Sequence, residues 1–181
     1  GMEVQPNCAY IIPPNRDMTF LDGRLQLMEP VAPRGQRLPI DFFFRSLAQG
    51  LRERAIGVVL SGTGSDGAQG VRAIKGEGGM VIAQTPASTE YDGMPRSALA
   101  TGLVDYELPP AEMPAQISAY VAHAFGNPLQ MVSAPKRTTE NALRKICILL
   151  RAQTGHDFSQ YKPSTLHRRI ERRMAVHQIA M

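Results

Sequence analysis

The segment "AIGVVLSGTGSDGAQGVRAIKGEGGMVIAQ" (55–84) constrains the fold more than any other part of the chain. "AIGVVL" (Ala55 to Leu60) is a continuous apolar run with β-branched residues, the pattern of a strand covered on both faces. A glycine loop follows, then a helix through "AQGVRAIKGEGG", then a second apolar run, "MVIA" (Met80 to Ala83). Strand, loop, helix and strand in that order make a βαβ unit, the signature of a parallel sheet. An α/β domain is therefore predicted.

The flanks supply further elements. "CAYIIPP" (Cys8 to Pro14) reads as a short buried strand stopped by two prolines. "MTFLDGRLQL" predicts a hairpin, with Asp22-Gly23 in a tight turn and Leu25 and Leu27 alternating after it. After the proline- and arginine-rich loop from Pro30 to Pro39, Asp41 is placed to cap a helix whose apolar face is Phe43, Phe44, Leu47, Ala48 and Leu51. Downstream of the βαβ unit, "MPRSALATG" predicts a helix with Pro95 in its first turn and Gly102 as its stop. "LVDYEL" reads as a short strand, and "PAEMPAQISAYVAHAFG" as a helix with Ile117, Tyr120, Val121 and Ala124 on one face. "GNPLQMVSAPKR" (Gly126 to Arg137) has the turn formers of a linker. Beyond it, Leu143, Ile146, Cys147 and Leu150 have helical spacing up to Gly155, and a second helix starts at Pro163 with Leu166, Ile170 and Met174 on one side. Two such helices bury little surface, so they read as the opening of a domain.

Length and composition set the bounds. The 181 residues suffice for one α/β domain and a small extra piece, and 43% hydrophobic residues is ordinary for a globular protein. The apolar runs are too short to cross a bilayer, so no direct membrane insertion is expected. "GMEVQPN" lacks a basic stretch leading into an apolar one, so no secretory leader is expected there. Gly1 before Met2 is read as a tag or a start cut from a longer gene. Cys8 and Cys147, far apart and in no C-x-x-C arrangement, predict reduced, buried thiols in a cytoplasmic protein. The four histidines (His123, His156, His167, His177) lack metal-ligand spacing, so no metal is expected. Residues 1–135 carry 10 basic and 13 acidic side chains, a net −3; residues 136–181 carry 10 and 3, a net +7. That split predicts two units with different partners.

Gly62, Gly64 and Gly67 match G-x-G-x-x-G, the spacing of a dinucleotide phosphate loop. Against that reading, Asp66 puts a negative charge where a pyrophosphate would lie. Gln84 also stands where a ribose-binding acid should end the second strand. A Walker loop would need a lysine, and a nucleophile elbow on Ser65 would need a glycine where Thr63 stands. Two readings of Asp66 remain. One is an acid at the C-terminal end of a parallel strand, able to orient a histidine and stabilise its imidazolium in acyl transfer. The other is a cap for the helix beginning near Gly67. The residues alone leave both open.

A resemblance bears on the choice. "SGTGSDGAQG", "GGMVIAQ" and "YDGMPRSA", with "YIIPPN" and "LPIDFFFRSLA" upstream, resemble in order the C-terminal half of the chemotaxis protein-glutamate methylesterase (CheB) catalytic domain, from about Met2 to Phe125. "TGHDFSQYKPSTLHRRIERRM" resembles the start of the chemotaxis receptor methyltransferase (CheR), and proteins fusing the two in this order form a known group. The resemblance implies a truncated, mostly parallel, doubly wound (Rossmann-like) sheet with helices on both faces and a β-hairpin, followed by a small α-helical segment. It divides the chain into an esterase part (2–125), a linker (126–137) and the beginning of the helical methyltransferase domain (138–181). It implies hydrolysis of glutamyl methyl esters on chemoreceptors in bacterial chemotaxis signalling, with Asp66 as the triad acid. Thr63, with Gly64, falls in the loop whose backbone helps form the oxyanion hole. The esterase part implies no cofactor, and the methyltransferase part implies S-adenosylmethionine, held by a domain outside this sequence.

The family's nucleophilic serine and histidine lie upstream of the "YIIPP" segment. No histidine precedes His123, and Ser61, Ser65 and Ser88 do not match the nucleophile. The fragment is therefore expected to be inactive alone, with an apolar sheet edge for the tail or another copy to cover, the latter making a homo-oligomer. The alternative is a non-catalytic scaffold retaining a degenerate esterase fold. In the tail, Arg168, Arg169, Arg172 and Arg173 form two i, i+4 pairs on one helix. No aromatic residues interleave with them, which argues against nucleic acid. The choice lies between a solvated charged face and, as the methyltransferase resemblance implies, docking on the acidic cytoplasmic helices of methyl-accepting chemoreceptors.

Overall fold

The structure, a computed structural model, describes residues 1–33, 35–125, 136–177 and 179, with the backbone alone for 136–141. The chain divides into two compact units, 1–114 and 115–181.

The first unit holds the predicted βαβ arrangement. Strands β1 (Met2–Glu3), β2 (Asp17–Leu21) and β3 (Arg24–Met28) form an antiparallel sheet ordered β1-β3-β2. The β2–β3 hairpin turns at Asp22-Gly23, with φ values of 49° and 76°. Positive φ at both central residues is what a type I′ turn requires, and an Asp-Gly pair tolerates it. The strand expected at Cys8 to Pro14 is absent: the segment is irregular, and Ile11 is 91% exposed. A strand needs a neighbour for its backbone groups, and among the described residues none pairs with 8–14.

Helix α1 (Pro39–Leu51) opens on the proline, whose missing N–H is no loss at a first helical position. Its apolar spacing lies inward as predicted: Phe44 and Ala48 are buried, with Phe43, Leu47 and Leu51 packed at the edge of the core. Asp41 is not its cap. The helix starts two residues earlier, so Asp41 falls inside the first turn, and the cap position is Leu38. Ser46 of α1 accepts the N–H of Phe20, tying the helix to β2.

Strands β4 (Ile56–Val59), β5 (Met80–Gln84) and β6 (Tyr106–Leu108) form a parallel sheet in that order, joined by α2 (Ala68–Gly76) and α3 (Gly93–Leu99). All five residues of β5 are buried, as befits the central strand. Each large aliphatic side chain there contributes about 1.5–3 kcal/mol by leaving water. Phe44 joins α1 to both α2 and β4: a Cβ on Gly57 would lie 3.2 Å from its ring, and one on Gly70 would overlap its Cβ. The outer edge of β4 has no strand partner among the described residues.

At the N-terminal end of this sheet Lys75 Nζ contacts both carboxylate oxygens of Asp105 (2.9 and 2.8 Å) and donates to the carbonyl of Gly79. Asp105 also accepts the N–H of Val81, and its side chain is fully buried. The pair locks α2 to the start of β5 and β6.

The second unit is helical. It contains α4 (Met113–Phe125) from Ala115 onward, α5 (Lys136–Thr154) and α6 (Pro163–Val176). Most of the predicted linker lies outside the described residues. Tyr120 is buried, with the ring of Phe125 edge-on at 5.8 Å, and Ile117 and Ala124 are half-buried. Val121 and Leu150, both predicted inward, are exposed, so the apolar faces of α4 and α5 are narrower than their spacing implied. Gly155, at φ 71°, ends α5 by donating to Arg151. The cysteines are free, but Cys8 is exposed and Cys147 only half-buried, against the expectation of buried thiols.

Candidate active site

The loops leaving the C-terminal ends of β4 and β5 meet each other and the N-terminus of α1. Asp66, half-buried, lies in the loop between β4 and α2. Its Oδ2 accepts the N–H of Ile40 at 3.0 Å and its Oδ1 accepts the N–H of Asp41 at 2.9 Å. Asp66 is thus a helix cap, though not of the helix that follows it. Residue Gly67, at φ 95° and with no side-chain bond, caps α2, while Asp66 caps α1, more than twenty residues upstream. Two donors use about half of the roughly four lone-pair positions of a carboxylate, leaving room for one more, such as an imidazole N–H.

Asp41 returns the interaction. Its buried carboxylate accepts the N–H of Gly70, in the first turn of α2, at 2.6 Å. The N-termini of α1 and α2 therefore exchange carboxylates. This arrangement weighs against the nucleotide reading, because one first-turn donor of α2, the Gly70 N–H, is already bonded to a carboxylate.

The glycine loop is held by the "YDGM" segment (91–94). Gly62 donates to the carbonyl of Tyr91 and accepts the N–H of Met94, both at 2.8 Å. Ser61 Oγ accepts the Tyr91 N–H at 3.0 Å, and Ser97 Oγ donates to the carbonyl of Gly64 at 3.3 Å. Gly93 lies so close to the loop that a Cβ there would sit 2.9 Å from the Gly64 nitrogen. Among the described residues, the N–H groups of Thr63 and Gly64 have no acceptor, and both residues are exposed. Donors held rigidly by neighbouring backbone and free to bind are what a developing oxyanion needs.

Sequence reasoning placed Asp66 in the loop leaving a strand but found neither the N-terminus of α1 as its partner nor Gln84 and Tyr91 as partners of the glycine loop. Gln84 was visible only as the residue that is not an acid. In the tail, Arg168, Arg169 and Arg173 are exposed, whereas Arg172 is half-buried with its guanidinium 4.4 Å from the centre of the Phe125 ring. Among the described residues no group of three or more His, Cys, Asp or Glu could hold a metal ion.

The family profile described as CheB methylesterase matches residues 1–117. This chain belongs to the CheB methylesterase family. The crystal structure of the Thermotoga maritima CheB methylesterase catalytic domain superposes with a TM-score of 0.58 at 30% identity, over 65% of this chain and 64% of that one. A protein-glutamate methylesterase/protein-glutamine glutaminase of Myxococcus xanthus is 42% identical over 113 residues, 60% of this chain and 33% of the relative. An uncharacterized 104.1 kDa protein of Rhodobacter capsulatus is 39% identical across 98% of this chain, which covers 21% of that protein. The chain thus spans a fifth to a third of these two relatives. Residues 141–180 match a second profile, the all-alpha domain of CheR methyltransferase. Asp66, Thr63 and Gly64 fall in the CheB-like region and the four arginines in the CheR-like one.

Proposed function

We propose that residues 1–117 supply the acid and the oxyanion loop of a serine-hydrolase-type esterase, within a bifunctional protein that modifies chemoreceptors. The observation that carries this reading is the Asp66 carboxylate, pinned by two backbone N–H groups at the C-terminal end of β4 beside the unbonded N–H groups of Thr63 and Gly64. Asp66 would accept the Nδ1–H of a histidine, fixing its tautomer and stabilising its imidazolium while its other nitrogen takes a proton from a serine. The serine would attack the glutamyl ester carbonyl and methanol would leave. Water would then release the glutamate. An unsubstituted glutamine amide could follow the same path with ammonia as the leaving group, the second activity in the name of the Myxococcus relative.

No histidine precedes His123, so this chain alone should not hydrolyse the ester. The helix carrying Arg168, Arg169 and Arg173 would help open a methyltransferase whose substrates are acidic receptor helices. S-adenosylmethionine does not fit the CheR-like residues present: past Phe125, Gly155 is the one glycine among the described residues, and no strand is described there for a glycine-rich turn to follow. Its domain would lie elsewhere in the protein. No helix among the described residues is long and apolar enough to cross a membrane.

The test is hydrolysis of methylated receptor by the full-length protein. Asp66→Asn there should lower kcat by about 10⁴, the loss seen when a triad acid can no longer set the tautomer. Wild-type turnover by the variant would reduce Asp66 to a cap of α1. A full-length protein with no hydrolysis would favour a scaffold retaining the fold.

A further inference from the structure

We infer that Gln84 is a positioning residue that sets the oxyanion loop, an inference that rests on the esterase reading above for its catalytic consequence. Gln84 ends β5 and is 5% exposed. Its side-chain carbonyl accepts the N–H of Ser61 at 2.9 Å, at the entry of the glycine loop. Its amide nitrogen donates to the carbonyl of Ser88 at 2.8 Å and to Ser88 Oγ at 3.2 Å. One buried side chain thus holds the first turn of both loops at the C-terminal end of the sheet.

The hold is passed on. Ser61 Oγ and the Gly62 backbone bond Tyr91, and Gly62 bonds Met94, so the loop holding Thr63 and Gly64 is fixed at Ser61 and Gly62. Thr63 follows immediately with its N–H free among the described residues. An amide serves both ends, because the Ser61 side needs an acceptor and the Ser88 side needs a donor. A carboxylate would keep the first bond and face the Ser88 carbonyl with a second acceptor. A methionine of similar length would keep neither. The chemistry explains why β5 ends in glutamine and not in an acid.

Two variants test it in the full-length protein, with methylated receptor as substrate. Gln84→Met should lower kcat about 10- to 100-fold with KM little changed, since misplacement by a fraction of an ångström to one ångström removes rate and not binding. Gln84→Glu, which keeps the Ser61 bond, should recover part of the loss. A melting temperature lowered with kcat per folded molecule unchanged would overturn the inference, because Gln84 would then serve the fold alone. Amide hydrogen exchange on this chain tests the latch without activity. Ser61 and Gly62 should exchange at least tenfold faster in Gln84→Met, while Val81–Ala83 keep their protection; unchanged exchange at Ser61 and Gly62 would also overturn it. Failure of the wild-type full-length protein to hydrolyse ester would refute the esterase reading instead, with the exchange rates still deciding whether Gln84 fixes the loop.

Discussion

Exchange of carboxylates between α1 and α2 predicts that Asp41 and Asp66 stabilise the first unit as one network. Asp41→Ala removes a charged acceptor at 2.6 Å from the Gly70 N–H, in a place where water does not replace it. Leaving a buried donor without a partner costs about 1–3 kcal/mol, with charged bonds at the upper end. A loss of about 2–3 kcal/mol is therefore expected. Asp41→Asn keeps an oxygen for Gly70, and a neutral acceptor is worth roughly half a charged one, so it should cost about 1 kcal/mol. Asp66→Ala exposes the N–H groups of Ile40 and Asp41, partly within reach of water, and should cost about 0.5–2 kcal/mol, as other lost caps do. The N–H of Asp41 is itself a donor to Asp66, so whatever shifts the first turn of α1 weakens both bonds. The double variant should thus fall short of the sum of the singles by about 0.5 kcal/mol or more. Urea titration of the chain, followed by far-ultraviolet circular dichroism, measures each term through the transition midpoint. Additivity within about 0.3 kcal/mol, or equal losses for Asp41→Asn and Asp41→Ala, would refute the reasoning.

Four further outcomes are expected. Lys75→Met leaves the buried Asp105 without its cation and should cost about 3–5 kcal/mol, whereas Lys75→Met combined with Asp105→Leu should cost less than Lys75→Met alone, as thermal melts would register. Gly93→Ala pushes a methyl against the Gly64 backbone and should cost about 1–3 kcal/mol in a urea titration, while Gly62→Ala meets only the flexible Met94 side chain and should cost less. Replacing Arg169 and Arg173 together should weaken receptor binding by the full-length protein more than either change alone, and the difference from the wild type should shrink with added salt, which screens the attraction of the arginines. Arg172→Ala should act mainly on the fold, lowering stability by about 0.5–1 kcal/mol, because that guanidinium packs on Phe125.

The sequence was legible where the signal is local. An apolar run without alternation, a glycine loop and a second apolar run could only make β4, α2 and β5, and Asp22-Gly23 announced its own turn. It misled where an element depends on a neighbour. The apolar run from Cys8 to Pro14 carries strand propensity but has no described strand to pair with, so it remains irregular. Asp41 has the composition of a cap and the right distance from its helix, yet Pro39 starts α1 earlier and sends its carboxylate to another helix. Asp66 lies in the loop leaving the C-terminal end of β4, on the side of the sheet where the spacing put it. What holds it comes from more than twenty residues upstream, a pairing no spacing rule contains. Gln84 was hidden for the same reason: a buried amide is informative only once the two loops it joins are known to be adjacent.

The traded carboxylates also shape the electrostatic field at this end of the sheet. A helix N-terminus carries the equivalent of roughly half a positive charge, and two of them point here. Each already has a resident anion, Asp66 on α1 and Asp41 on α2. The helices are therefore electrostatically spent before any substrate arrives. On the proposed reading, an oxyanion forming beside Thr63 would draw no attraction from either macrodipole, and the nearby carboxylates would tend to repel it. The few unbonded peptide N–H groups must stabilise that charge over short distances, within hydrogen-bond contact. In a site of this kind a small displacement of the loop would act at full strength, with no attractive background field to cushion it.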